Sequence, residues 1–265
     1  MEKGIIETVV LRVRDLERSS AFYEGVLGLN SRNAGDYTRE FFISPEKSPL
    51  LSVVEVPDAN PKPARGLGLY HFALLVPDRG ALAAVLRRLA DLGLPLQGAS
   101  DHHVSEALYL ADPDGHGVEI YRDRPEQEWA YTEDGEIYMT TDSLNLQELV
   151  TLAERGAGLP DGTIIGHIHL HISDLKKAEA FYVDVLGFDA MVRSYPGALF
   201  VSTNDYHHHI GLNTWAGPDA LPPDDQTIGM IEFTARAPRP PAVVDRGNGV
   251  GEILDPDGIR IRLVT

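Results

Sequence analysis

The strongest constraint in this chain is that it repeats itself. Residues 5–30 (IIETVVLRVRDLERSSAFYEGVLGLN) and 164–189 (IIGHIHLHISDLKKAEAFYVDVLGFD) align without a gap at an offset of 159, sharing DL, AFY and VLG. Each copy reads as an alternating strand, an Asp at a helix entry, an amphipathic helix and a closing Gly. In the second copy Leu175, Ala178, Phe181, Tyr182 and Val185 recur at helical spacing and predict one apolar face. Gly28 and Gly187 fit the position after a helix where left-handed backbone is wanted. Other echoes lie between and after: GLYHFALLVPD (68–78) with TIGMIEFTAR (227–236), and DPDG at 112–115 with DPDG at 255–258. DPDG is a turn in which Pro fixes φ and Gly supplies a positive one.

The expected fold is therefore α+β, with four βαβββ modules over residues 4–60, 64–126, 162–216 and 226–265. They form two pseudo-repeated halves, 4–126 and 162–265, around a connector at 127–161. The fourth module is truncated, because PRPPAVVDRGNGVG (238–251) stands where a helix belongs and its prolines argue against one. An oligomer contact or the connector is expected to cover what that leaves bare. The connector predicts its own helix, SLNLQELVTLAERG, with Asp142 or Ser143 as N-cap and Gly156 near its end.

Composition narrows the class. A chain of 265 residues with 43% hydrophobic and 24% charged side chains has ample material for a real core. No cysteine is present, which excludes a disulfide scaffold, a zinc ribbon and a thiol nucleophile. A formal charge of -17 disfavours nucleic acid and anionic membrane surfaces as partners. No apolar run approaches the length of a membrane span, which is about 18 residues or more. The N-terminal stretch carries charges and no small-residue cleavage site, so a cytoplasmic protein acting on something small is expected.

With H-x-A-L-x-V-x-D, AFYxxVLG and DPDGxGVEIYRDRP in four modules, the chain resembles the vicinal oxygen chelate superfamily over nearly its whole length. That superfamily includes glyoxalase I, bleomycin-resistance proteins and type I extradiol dioxygenases. Residues 100–125 (SDHHVSEALYLADPDGHGVEIYRDRP) and 206–215 (YHHHIGLNTW) are similar to the catechol 2,3-dioxygenase-like branch. The resemblance implies modules paired into open, cup-like mixed sheets, with metal in one cup. Ligands then come from the first strand, seven residues before the helix-opening Asp, and from the last strand. The first-strand positions are Thr8, His71, His167 and Met230. The last-strand positions are Glu119 and Arg262, with 53–55 and 209–211 ambiguous.

Pairing modules one with two and three with four completes no site. Pairing two with three collects His71, Glu119 and His167, and leaves Thr8, Met230 and Arg262 in a metal-free outer cup. Two histidines and one carboxylate form the ligand set of non-haem Fe(II) oxygen chemistry; Mn(II) suits it too. His169 and His171 share the strand face of His167, and either replaces it if the register slips by two. The resemblance further implies His208 as the acid–base histidine and Tyr109, ten residues before Glu119, as a substrate-holding hydroxyl. His102 matches a further histidine approximately, with His103 as competitor. Against these stand plainer readings: a solvated histidine run, and a tyrosine that only fills the core. Trp129, Trp215 and Tyr206 either wall an aromatic pocket or simply pack.

The implied activity is Fe(II)-dependent extradiol cleavage of catechol or a substituted catechol with O2, by a homo-oligomer. A glyoxalase-like isomerase or lyase would want a further carboxylate or Gln ligand. A non-catalytic small-molecule binder would lack the ligands.

Overall fold

The computed structural model describes residues 3–153, 158–239 and 250–264. Module one comprises β1 (Ile6–Val13), α1 (Leu16–Gly25), β2 (Asn30–Gly35), β3 (Thr38–Phe42) and β4 (Leu51–Glu55). Module two comprises β5 (Gly68–Leu75), α2 (Arg79–Asp91), β6 (Gly98–Asp101), β7 (Ser105–Ala111) and β8 (Gly117–Asp123). The connector adds β9 (Asp142–Ser143) and α3 (Leu146–Thr151). Module three comprises β10 (Ile164–His171), α4 (Leu175–Glu179), β11 (Asp189–Val192), β12 (Ala198–Ser202) and β13 (Ile210–Asn213). Module four contributes β14 (Gly229–Ala235), β15 (Val250–Leu254) and β16 (Arg260–Val264).

These strands form two mixed sheets, as the repeats led us to expect. One is nine-stranded, ordered β11-β12-β13-β10-β5-β8-β7-β6-β9; the other is seven-stranded, ordered β15-β16-β14-β1-β4-β3-β2. Antiparallel β5–β10 and β1–β14 pairs form the two seams, so module two shares a sheet with three, and one with four.

The repeated motifs meet across sequence-adjacent modules instead. The tyrosine of each AFY donates to the first aspartate of the neighbouring DPDG: Tyr23 to Asp112 at 2.8 Å, and Tyr182 to Asp255 at 3.1 Å. The last aspartate of each turn accepts a backbone N–H just before the helix, Arg14 to Asp114 and Ser173 to Asp257. Asp15, Asp78 and Asp174 cap their helices through side-chain oxygens. Gly28 and Gly187 adopt φ of 74° and 81°, the left-handed closure the sequence pattern called for.

Strand alternation separates two environments. On β8, Val118 and Ile120 enter the large core shared with the helices, whereas Glu119 and Tyr121 face the concave side. Two local expectations need correction. Asp142 and Ser143 pair with β6, and Asn145 caps the connector helix, because its side chain reaches the Glu148 N–H. Gly156 lies outside the described residues. Helix α4 runs into a π turn at Ala180–Val185, whose wider winding leaves Val185 42% exposed instead of on the apolar face. The described part of the connector packs on the nine-stranded sheet through Trp129, Ile137 and Met139, and its Leu159 N–H donates to the Leu27 carbonyl of module one at 2.9 Å. The stretch 240–249, where the fourth helix would have been, lies outside the described residues.

Candidate metal centre

Three strands aim three ligands at one point. Ala73 on the middle strand β5 is the cross-strand neighbour of both Glu119 on β8 and His167 on β10. His71, two residues earlier on β5, shares its face. Ala73 is small, so the space above it is left to the three larger side chains. Their ligand atoms lie within 4.8 Å of one another. Glu119 Oε2 is 2.9 Å from His71 Nε2 and 3.2 Å from His167 Nε2. All three residues are buried. His169 and His171, the alternatives by register, lie outside this cluster; His171 Nδ1 instead meets Asn213 Oδ1 at 2.6 Å.

The donors fit a divalent metal. Burial pushes the Glu119 carboxyl up, but the flanking histidines outweigh this and hold it well below the usual carboxylate range. Burial lowers His167 to about 4 despite the attraction of Glu119. One anionic oxygen and neutral imidazoles are the protonation states a metal requires. His71 Nε2 is close to the carboxylate yet off hydrogen-bond geometry, a buried nitrogen without a partner. Ligand atoms about 2.1 Å from a common ion and at right angles to each other would stand about 3 Å apart, close to the separations seen here.

The triad forms part of the wall of a cavity of about 550 Å³. Tyr109, in register with Glu119, flanks it; its hydroxyl donates to His102 Nε2 at 2.6 Å. His102 Nδ1–H in turn donates to the Thr140 carbonyl at 2.6 Å, which fixes the tautomer. Burial, with Glu119 nearby, raises the Tyr109 phenol well above its ordinary value, so it is a neutral donor at working pH. His103 turns outward to Asp142, at 2.9 Å, and leaves the cavity to His102.

The histidine run is buried, not solvated, and its rings diverge. Asn204 and Asp205 take positive φ (58° and 59°), a tight turn that residues of this type tolerate. His207 points to Asp123, His209 to Ser202, and His208 to the cavity, with its ring centroid 4.2 Å from that of His167. Trp215 lines the cavity, whereas Trp129 and Tyr206 pack behind it. Sequence reasoning missed Tyr70, Tyr195, Lys62 and Thr140 as lining residues. It also missed Asp123, which the strand pattern places on the Glu119 face without separating it from any other strand carboxylate.

Comparison with known proteins agrees with this architecture. The profile of the Glyoxalase/Bleomycin resistance protein/Dioxygenase superfamily matches residues 5–120 and 164–237. The chain belongs to this superfamily. Within it, the chain is 48% identical over 233 residues to the Catechol-2,3-dioxygenase of Bacillus subtilis (strain 168), covering 86% of this chain and 81% of the relative. Among solved structures of the same fold, the cppA protein from Streptococcus pneumoniae TIGR4 superposes with TM-score 0.61 at 10% identity, over 98% of either chain. Glyoxalase I from Zea mays gives 0.58 at 15% identity, over 98% of this chain and 92% of the other. The superfamily match and the 48% identical relative support an enzyme, and the buried His-Glu-His triad fits a metal cofactor. No helix among the described residues is long and apolar enough to cross a membrane.

Proposed function

We propose that this chain is an extradiol ring-cleaving dioxygenase that takes a small aromatic diol and O2, using Fe(II), or Mn(II), held by His71, Glu119 and His167. The carrying observation is the two-histidine, one-carboxylate set buried on one sheet face, with a neutral phenol and an unprotonated imidazole beside it in the same cavity. A metal bound by this set supplies the oxygen chemistry typical of such triads. The chain's own residues handle protons and position. His208 is buried and held neutral, so it accepts a proton from a diol hydroxyl and returns it later to an oxygen of the opened ring. With its own O–H held by His102 Nε2, the Tyr109 oxygen accepts from a substrate hydroxyl, and His102, anchored on Thr140, keeps that oxygen aimed. Trp215 and Phe200 give the aromatic ring an apolar wall.

The 48% identity to a protein named for this activity supports the reading. The test is anaerobic loading with Fe(II), then catechol and air. Oxygen uptake with a yellow ring-opened product, lost in Glu119→Ala, is the expected result. Metal binding without uptake on any diol would end the reading and favour an isomerase. No metal binding at all would favour a binding module.

A further inference from the structure

Behind His208 runs a hydrogen-bonded chain that the proposed chemistry does not itself require. His208 Nδ1 lies 2.8 Å from His207 Nδ1, and His207 Nε2 lies 3.0 Å from Asp123 Oδ1. Both rings are buried. Asp123 also accepts Tyr206 O–H, at 3.0 and 3.2 Å, and Lys3 Nζ at 2.6 Å. Tyr206 O–H and Lys3 bring donors only toward the carboxylate, and its far side opens on a separate surface cavity that Lys3 also lines. Asp123 is therefore an acceptor with no proton of its own to give.

An acceptor at one end sets the direction of the whole chain. His207 Nε2 must carry the hydrogen that points at Asp123. In the neutral ring its Nδ1 is then a lone pair, so the hydrogen shared between the two rings belongs to His208 Nδ1. His208 Nε2 is left without a hydrogen. That atom has no partner among the described residues, and its ring lines the cavity beside His167. We propose that Asp123 and His207 are positioning residues that lock His208 in the tautomer presenting a bare Nε2 to the substrate. The catalytic consequence rests on the dioxygenase reading above; the tautomer itself does not.

Asparagine at position 123 offers a sharp test because Lys3 can only donate. The amide oxygen turns to Lys3, and the amide N–H₂ then faces His207, which must become the acceptor. Both histidines flip, and His208 presents N–H where a base is needed. A flipped tautomer in a comparable hydrogen-bonded triad costs about 10⁴ in turnover; for a general base at the low end of its range about 10²–10³ is expected here. His207→Gln is the conservative rescue. Its amide N–H₂ can donate to Asp123 while its carbonyl accepts from His208, preserving the direction.

The experiment is long-range ¹H–¹⁵N NMR of histidine side chains on the full chain, metal-free and loaded with diamagnetic Zn(II), alongside steady-state kinetics of the Fe(II) form. Expected are a protonated Nδ1 and bare Nε2 on His208 in the native chain, inverted in Asp123→Asn, with kcat reduced and KM and metal stoichiometry unchanged. His207→Gln should keep the native pattern and lose far less turnover. A native His208 carrying its hydrogen on Nε2, or an Asp123→Asn chain with unchanged tautomer and kcat, overturns the inference. If Asp123→Asn does not fold, the native spectrum and His207→Gln decide alone. A native chain inert on every diol but with the expected spectrum removes the dioxygenase reading and leaves the tautomer assignment standing.

Discussion

The site stores neutral imidazoles in a dry place, and that must show as acid lability of the metal-free protein. Free histidine titrates near 6.5, so an unfolded chain takes up protons as pH falls below that value. Folded His167 resists until about 4, because burial disfavours its charged form more than Glu119 favours it. A folded value below the unfolded one means stability is fully present above 6.5 and drains away as pH falls toward 4. At about 1.4 kcal/mol per pH unit, that window represents about 3 kcal/mol from His167 alone. His169 and His208, also buried, are pushed in the same direction by burial first and by neighbouring histidines second. Three such groups give a limiting slope of about 4 kcal/mol per pH unit once the unfolded imidazoles are mostly charged, near about pH 5.5.

The assay is guanidinium unfolding in chelator at about pH 7, 6 and 5.5, with the linear extrapolation checked for constant m. Adding Mn(II) or Fe(II) should move the loss to lower pH, since a proton must then displace the metal from its ligands. His169→Phe should lower the slope by one proton while keeping a ring edge-on against His71. A slope below one proton in the native chain would refute the reasoning, because it would mean these rings are solvated or charged in the fold.

Three further outcomes are expected. Glu119→Gln removes the only anionic ligand, so the thermal shift on adding metal, about 2.7 kcal/mol at a hundredfold excess over Kd in the native chain, should vanish in calorimetry. Asp255, raised to about 6 by burial, costs stability as pH climbs from about 4 to 6, since its folded value lies above the unfolded one. Asp255→Asn escapes that cost and should gain up to about 3 kcal/mol in urea unfolding at about pH 8, and nothing below about pH 4. A Cβ on Gly117 would sit 2.3 Å from the Tyr70 carbonyl oxygen, splaying the β5–β8 pair that aligns His71 with Glu119. Gly117→Ala should cost about 1–3 kcal/mol and weaken metal binding measured by atomic absorption.

Much of this was legible because the chain carries its own ruler. The ungapped repeat set His167 against Thr8, and the distance to the helix-opening Asp set His71 against both, so three strand registers were readable without coordinates. The ruler failed where the repeat decays. In module four the β1–β14 pair sets Val10 against Glu232, as β10–β5 sets His169 against His71. Glu232, not Met230, therefore holds the His71-equivalent place; counting from weakly similar strands slipped by two. Side-chain direction at a turn was also illegible. Nothing in HHH tells which ring looks at the cavity, because that depends on positive φ at Asn204 and Asp205 and on a carboxylate 84 residues away, Asp123.

The corrected register also accounts for the chemical asymmetry of two geometrically similar cups. Arg262 is the cross-strand neighbour of Thr234 as Glu119 is of Ala73, so it occupies the place of the carboxylate ligand. Its Nε lies 2.8 Å from Glu232 Oε1. Where the nine-stranded sheet gathers one anion and two neutral nitrogens, the seven-stranded sheet sets a cation against an anion, and Thr8 turns its hydroxyl to the Pro49 carbonyl at 2.9 Å. That pair satisfies its own charge. The triad cannot do so: its carboxylate faces two imidazoles, of which burial keeps His167 neutral, and His71 Nε2 is left without a hydrogen-bond partner at the wall of a cavity. A buried charge left in this state is costly unless something positive completes it. The same backbone geometry thus yields a closed ion pair in one cup and an open demand for a cation in the other, and three exchanges, Glu119 for Arg262, His71 for Glu232 and His167 for Thr8, decide which.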